Sequence, residues 1–131
     1  MPQKESLYPA DWLRVAEKDL NRVERLLADH DPELAGFCLQ QAAEKSLKAF
    51  LLSQGWQLRR IHDLVALLDD ARAYDDSLEK FRAVCQKVSA FYSMERYPLL
   101  TETGLTEEDV RIALDEIKAL VERVRGKIHP K

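Results

Sequence analysis

From Pro9 onward the apolar residues Trp12, Ala16, Leu20, Val23 and Leu27 recur at spacings of three and four, the period of an amphipathic helix. Arg14, Lys18, Asn21 and Arg25 fall on the other side. The pattern stops near Asp29, where His30, Asp31 and Pro32 interrupt it, and Asp31 with Pro32 supplies the N-cap and first position of a second helix running to about Gln54. Gly55 is placed to take a left-handed C-cap conformation, which folds Trp56 back onto Leu51 as in a Schellman motif. After the loop through Arg59 and Arg60, Leu64, Leu67, Leu68 and Ala71 make a short stripe, with Asp63 at the positive start of a brief third helix. Asp76 with Glu79 has the spacing of a capping box for a fourth helix, whose stripe of Phe81, Val84, Cys85, Val88, Phe91 and Tyr92 ends before Pro98. Thr106 with Asp109 repeats the N-cap signal, and Leu105 against Val110 has the spacing of a hydrophobic staple. Ala113, Leu114, Ile117, Val121 and Val124 complete a fifth helix.

No segment carries a sustained alternating pattern, and the connections are short. The expected fold is therefore all-α, an up-and-down helical bundle of four long helices plus one short helix, with neighbouring long helices antiparallel. Leu20, Leu47, Leu67, Val84, Phe91 and Ile117 are its expected core. A length of 131 residues, 46% of them apolar, suits one domain over 1–131 with its core at about 9–126 and short flexible ends.

Charge and cysteine usage narrow the function classes. Twenty Lys and Arg against 23 Asp and Glu give a net charge of −3, which supplies no general field for coating a polyanion. Cys38 and Cys85 sit inside apolar helical patterns without CxxC or zinc-like spacing, and His30 and His129 are too scattered for a metal cluster. No metal and no cofactor is expected, and a reducing cytoplasm fits best. Met1 to Tyr8 lacks the apolar stretch of a signal peptide, and no apolar run approaches the roughly 20 residues of a membrane span. No Gly-rich phosphate loop, GxSxG elbow or acidic metal pair appears.

The second helix carries Gln41, Glu44, Lys45 and Lys48 within an arc of roughly 100°. Leu39, Ala43, Leu47 and Phe50 lie roughly opposite. Periodicity alone describes a solvated face with Glu44 and Lys48 as an i, i+4 ion pair. The functional alternative makes Lys45 and Lys48 phosphate donors, with Gln41 and Glu44 as base, ribose or partner contacts. His62, beside Arg59, Arg60 and Asp63 where a helix opens, is either a cap and packing residue or a phosphate or partner contact. Arg96 and Tyr97 before Pro98 are similarly double: Arg96 can cap carbonyls or meet a phosphate, and Tyr97 can pack with its hydroxyl at the surface.

The run Gln41-Ala-Ala-Glu44-Lys45-Ser-Leu-Lys48-Ala49, followed by His62-Asp63-Leu64 and then Arg96-Tyr97-Pro98, resembles the HEPN family in order and spacing. The resemblance extends roughly from Trp12 to Val124 and implies a small helical bundle similar to the C-terminal domain of kanamycin nucleotidyltransferase. It also implies a homodimer, for which a patch near the fourth helix with Phe91, Tyr92 or Met94 is available, and a partner that is a separately encoded minimal nucleotidyltransferase in a two-component toxin and antitoxin module. Some members of that family are metal-independent ribonucleases carrying Arg, four to six residues, then His near the fourth helix. Here the permitted positions after Arg96 hold Thr101, Glu102 and Thr103, so no imidazole is available there to move a proton. Arg25 with His30 and Arg123 with His129 match the spacing only numerically, one at the end of the first helix and the other in the tail. The sequence thus points to a noncatalytic nucleotide- or partner-binding subunit using Gln41, Glu44, Lys45, Lys48, His62, Asp63, Arg96 and Tyr97. Its competitor is a divergent ribonuclease in which Arg96 and His62 converge.

Overall fold

The structure, a computed structural model, describes residues 6–96 and 105–129. Five α-helices follow in order among the described residues: α1 (Pro9–Ala28), α2 (Pro32–Ser53), α3 (Leu64–Arg72), α4 (Arg82–Arg96) and α5 (Glu107–Ile128), with a 3₁₀ turn at Asp76–Phe81 ahead of α4. The architecture is an all-α bundle without strands among these residues.

Local chemistry sets most of the boundaries. The α1–α2 link closes as a Schellman turn: the Asp31 and His30 amides donate to the Leu26 and Leu27 carbonyls, and His30 takes the left-handed conformation, φ 59°. Asp31 then caps α2 by accepting from the Leu34 amide, with Pro32 in the first turn. At the far end of α2, Gly55 sits at φ 87° and the Trp56 amide donates to the Leu51 carbonyl at 3.0 Å, the fold-back expected of that glycine. Thr106 and Asp109 form a reciprocal capping box at the start of α5, and Leu105 and Val110 are both buried beside it.

The start of α4 departs from expectation. Asp75, not Asp76, caps the 3₁₀ turn through the Ser77 amide and hydroxyl, and α4 begins at Arg82. Glu79 does not reach back to the backbone because Arg82 and Arg72 claim its carboxylate. The Arg82 hydrogen bond, above all, holds that carboxyl below its usual range.

α2 is the central helix, packing on α1, α5, α4 and α3. Glu17 pairs with Arg125 and Glu24 with Lys118, so α1 and α5 run antiparallel. Gly36 approaches Phe91 while Gln40 and Ser89 share one cleft, so α4 runs against α2. Leu47, Leu67, Val84, Phe91 and Ile117 are buried as expected, whereas Leu20 is only half-buried at the edge of the core.

Candidate functional site

The polar stripe of α2 is not a solvated face. Glu44 is 4% exposed and Lys48 2%, although Leu47 on the opposite side is buried as well. The expectation of an exposed stripe fails at Glu44 and Lys48 because α2 is packed against by α1, α3, α4 and α5, while Gln41 and Lys45 of the same stripe stay half-buried. The Glu44–Lys48 ion pair does form, at 3.1 Å, but inside the bundle. Each charge there owes its place to its partners, since an unpaired ion at that depth would cost several kcal/mol, on the order of the Born penalty after relaxation.

Glu44 is a hub. Its Oε2 accepts from Lys48 Nζ and faces His62 Nδ1, each at 3.1 Å, while its Oε1 accepts from Gln40 Nε2 at 3.2 Å. Gln40 also donates to the His62 carbonyl, and Gln41 donates to Gln40 Oε1 at 2.6 Å. The Lys48 ammonium lies 5.4 Å from the centre of the Trp12 ring, a cation–π contact that replaces part of its lost hydration. The His62 side chain is 71% exposed. A carboxylate behind Nδ1 fixes the ring's orientation and, when Nδ1 carries the proton, leaves Nε2 as a free acceptor.

In front of the imidazole lies a cleft of about 310 Å³ lined by Gln40, His62, Asp63 and Ser89. Asp63 Oδ1 accepts from the Val65 and Ala66 amides and so caps α3. Ser89 belongs to α4, and Arg96 closes that helix seven residues, about two turns, further on. Tyr97 and the side chains of Tyr92, Met94 and Arg96 lie outside the described residues, so the expected contacts of Arg96 and Tyr97 and the expected dimer patch are not placed; Phe91 of that patch is a core residue.

Lys45 points elsewhere. It donates to Asp19 of α1 at 2.9 Å, and Asp19, itself 3% exposed, also accepts from Arg22. Beside it opens a second groove, about 320 Å³, lined by Ser6, Asp11, Trp12, Arg14, Val15 and Lys45. The expected residues therefore divide into three settings: Glu44 and Lys48 in the interior, His62 and Asp63 at a cleft toward α4, and Lys45 at a groove toward α1. Gln41 stays half-buried behind the first cleft.

Gln40, Asp19, Ser89 and Trp12 were not among the expected site residues. Asp19 carried a signal, an acidic residue three positions from Ala16 and four from Val23 on the apolar side of α1. Gln40 carried another, since Gly36, Gln40, Glu44 and Lys48 form an i, i+4 ladder that includes three polar side chains. Ser89 had none. Elsewhere, burial pushes the Cys85 thiol up to about 12, which leaves it a packed, unreactive group. Among the described residues no cluster of His, Cys, Asp and Glu is built to hold a metal, and no helix is long and apolar enough to cross a membrane.

Comparison with known proteins bears on the whole of this arrangement. The family model for the HEPN domain matches residues 9–127. The crystal structure of TT1696 from Thermus thermophilus superposes with a TM-score of 0.82 at 29% identity, over 91% of this chain and 97% of that one. That of ST0689, an archaeal HEPN homologue, gives a TM-score of 0.74 at 28% identity, over 92% and 98%. No curated protein matches the chain.

Proposed function

The chain belongs to the HEPN domain family, and from that membership we propose that it is a binding subunit that recognises a nucleotide-bearing partner, a separately encoded minimal nucleotidyltransferase. The working surface is the cleft where His62, Asp63, Gln40 and Ser89 meet, and the motif shared with the family adds Arg96 and Tyr97 as further partner contacts. One observation carries this assignment: the buried Glu44, anchored by Lys48 and Gln40, holds the exposed His62 ring in place over an open cleft. A bundle that needed Glu44 only to neutralise Lys48 would gain nothing from fixing a solvent-facing imidazole. Preorganised polar groups of this kind lower the ordering cost of association.

Lys48 enters this scheme through Glu44 rather than as a phosphate donor, because its ammonium is enclosed and paired. The phosphate contact is assigned instead to Arg96, on the motif it shares with the family. Co-expression with the product of an adjacent nucleotidyltransferase gene tests the proposal. Capture should weaken about tenfold or more in His62→Ala and in Arg96→Ala, a loss of a charged or hydrogen-bonded contact. Capture equal to wild type in both variants would remove the cleft from the interface.

The same geometry favours one second reading, a divergent metal-independent ribonuclease, because an imidazole backed by a carboxylate presents a free Nε2 able to take a proton. RNA cleavage in EDTA that tracks the purified chain and vanishes in His62→Ala would select it over the binding role.

A further inference from the structure

The groove on the other side of α2 combines two features that do not depend on the His62 cleft. Its wall is the half-buried indole of Trp12 together with Val15, and among the described residues its rim carries Arg14, Lys45 and the carboxylate of Asp11. The Trp12 ring is held in place: its Nε1 donates to the Ser6 carbonyl at 2.7 Å, and the enclosed Lys48 ammonium lies over it. Lys48 is buried and lies over the ring, while Trp12 itself is half-buried and lines the groove. A cation on one face draws π-density inward, which suits the outer face to stacking against an electron-rich ring.

The rim supplies the second half of a recognition site. Asp11 is already engaged by the Ser6 hydroxyl at 2.7 Å and by Arg14 at 3.4 Å. Lys45 gives one of its three ammonium donors to Asp19, whose charge Arg22 also answers. Among the described residues, Arg14, Lys45 and Arg22 stand against the carboxylates of Asp11 and Asp19 and leave this side with one positive charge in excess, in a chain whose net charge is −3.

We infer that the Trp12–Lys45 groove is a binding site for a small planar aromatic anion, its ring stacked on Trp12 and its phosphate or carboxylate held by Lys45 and Arg14. The groove volume of about 320 Å³ lies at the small end of ligand pockets. Neither half of the ligand suffices alone: the ring supplies the area and the anion fixes its direction.

Titration of the wild-type chain, followed by the indole resonance of Trp12 in a ¹H–¹⁵N correlation spectrum and assigned with Trp12→Phe, tests this. Adenosine monophosphate and 2-naphthoate, one phosphate and one carboxylate, separate the two anion types, while adenosine and inorganic phosphate lack one half each. At least one of the two aromatic anions should shift the resonance saturably, and adenosine and phosphate should bind about tenfold or more weakly. Lys45→Gln, which keeps a donor for Asp19 and removes the charge, should weaken the aromatic anion about fivefold or more. Arg14→Gln, on an exposed side chain, should weaken it in the same direction without touching the interior. His62→Ala should leave this titration unchanged, so a failed partner assay and a failed groove assay remain distinct results. Binding of adenosine as tight as that of its monophosphate, full affinity in both Lys45→Gln and Arg14→Gln, or no shift with either aromatic anion would overturn the site.

Discussion

α2 and α5 are equally long, 22 residues each, yet they use their sequences in different ways. α5 buries one stripe, Val110, Ala113, Leu114, Ile117, Leu120, Val121 and Val124, and turns its charges to water. α2 buries residues all round, among them Gln40, Glu44, Ser46 and Lys48. The difference lies in composition and position together: α2 carries four charged residues and is packed against by four other helices, whereas α5 carries eleven and packs on α2, α1 and α4. An outer helix needs only an apolar stripe to be placed. A central helix has little solvent-facing surface, so each polar residue buried on it must find a partner or be excluded. The polar groups of α2 thereby fall into two clusters, one around Glu44 that reaches the surface at His62 and one around Asp19 that reaches it at Lys45.

The largest effect expected from this contrast is at Lys48. Lys48→Met should cost about 3–5 kcal/mol in urea unfolding, because it leaves the Glu44 carboxylate enclosed without its cation. Adding Glu44→Leu to it should restore part of that loss, since removing both charges removes the desolvation penalty as well. The corresponding change on α5, Lys118→Met, breaks an ion pair with Glu24 in which both side chains are nearly half exposed, and should fall within about 1 kcal/mol. Equal losses at Lys48 and Lys118 would mean that the interior of α2 is wetter than the packing implies.

This asymmetry also explains what was legible in the sequence. The stripe of α5, Ala16, Val23 and Leu27 of α1, Phe81 to Phe91 ahead of and along α4, the Gly55 fold-back, the Asp31 and Thr106 caps and the all-α class follow from local periodicity and capping, whereas α1 buries Leu13 and Asp19 more fully than the expected Trp12 and Leu20. Gln41, Glu44, Lys45 and Lys48 were recognised as one stripe, but the spacing of polar residues on a helix does not say how many neighbours cover it. The split of that stripe between the interior, the His62 cleft and the Trp12 groove is a tertiary fact. So is the contribution of Asp19 from α1, twenty-six residues before Lys45. The 3₁₀ turn at Asp76–Phe81 was missed for a related reason: Glu79 has the right spacing for a capping box, and Arg72 and Arg82 outcompete the backbone for it.

A second, smaller effect probes how closely α2 is surrounded. A methyl group added at Gly36 would sit 2.7 Å from Leu105 Cδ2 and 3.1 Å from Phe91 Cβ. Gly36→Ala gains about 1 kcal/mol of helix propensity, but crowding on two sides costs about 1–3 kcal/mol. The net should be a loss of about 1 kcal/mol, read as a lower denaturation midpoint. A higher midpoint would show that α4 and the Leu105 side chain yield freely and that α2 is held less tightly there than at Glu44.

On α5 the matching probe is the cap. Thr106→Ala removes the hydroxyl that accepts from the Asp109 amide and should cost about 1 kcal/mol. Thr106→Ser keeps the acceptor and should stay close to wild type. This loss should leave the His62 cleft and the Trp12 groove intact, because α5 contributes no side chain to either lining. Weakened binding at either site in Thr106→Ala would contradict the separation between a supporting α5 and a site-bearing α2.

The finest test falls on the residue that touches both helices. His30 leads into α2 in a left-handed conformation, φ 59°, while its Nδ1 lies 2.7 Å from Glu107 Oε1 at the start of α5. The imidazole is 81% exposed, so the contact with Glu107 contributes little, whereas the backbone conformation costs any residue with a Cβ about 1 kcal/mol. His30→Ala and His30→Gly both delete the contact and differ only in that backbone term. Glycine should therefore exceed alanine in stability by about 1 kcal/mol, and His30→Gly should exceed wild type by slightly less, about 0.5–1 kcal/mol, because it also gives up the small contribution of the Glu107 contact. If alanine and glycine prove equal, the link is not left-handed in solution, and the Schellman turn that aims α2 into the centre of the bundle would have to be replaced by another entry. If glycine gains and His30→Ala matches wild type, the direction of α2 is set by backbone geometry at this one position, and the side-chain contact with α5 is incidental to it; a loss in His30→Ala would instead report the contribution of the Glu107 contact.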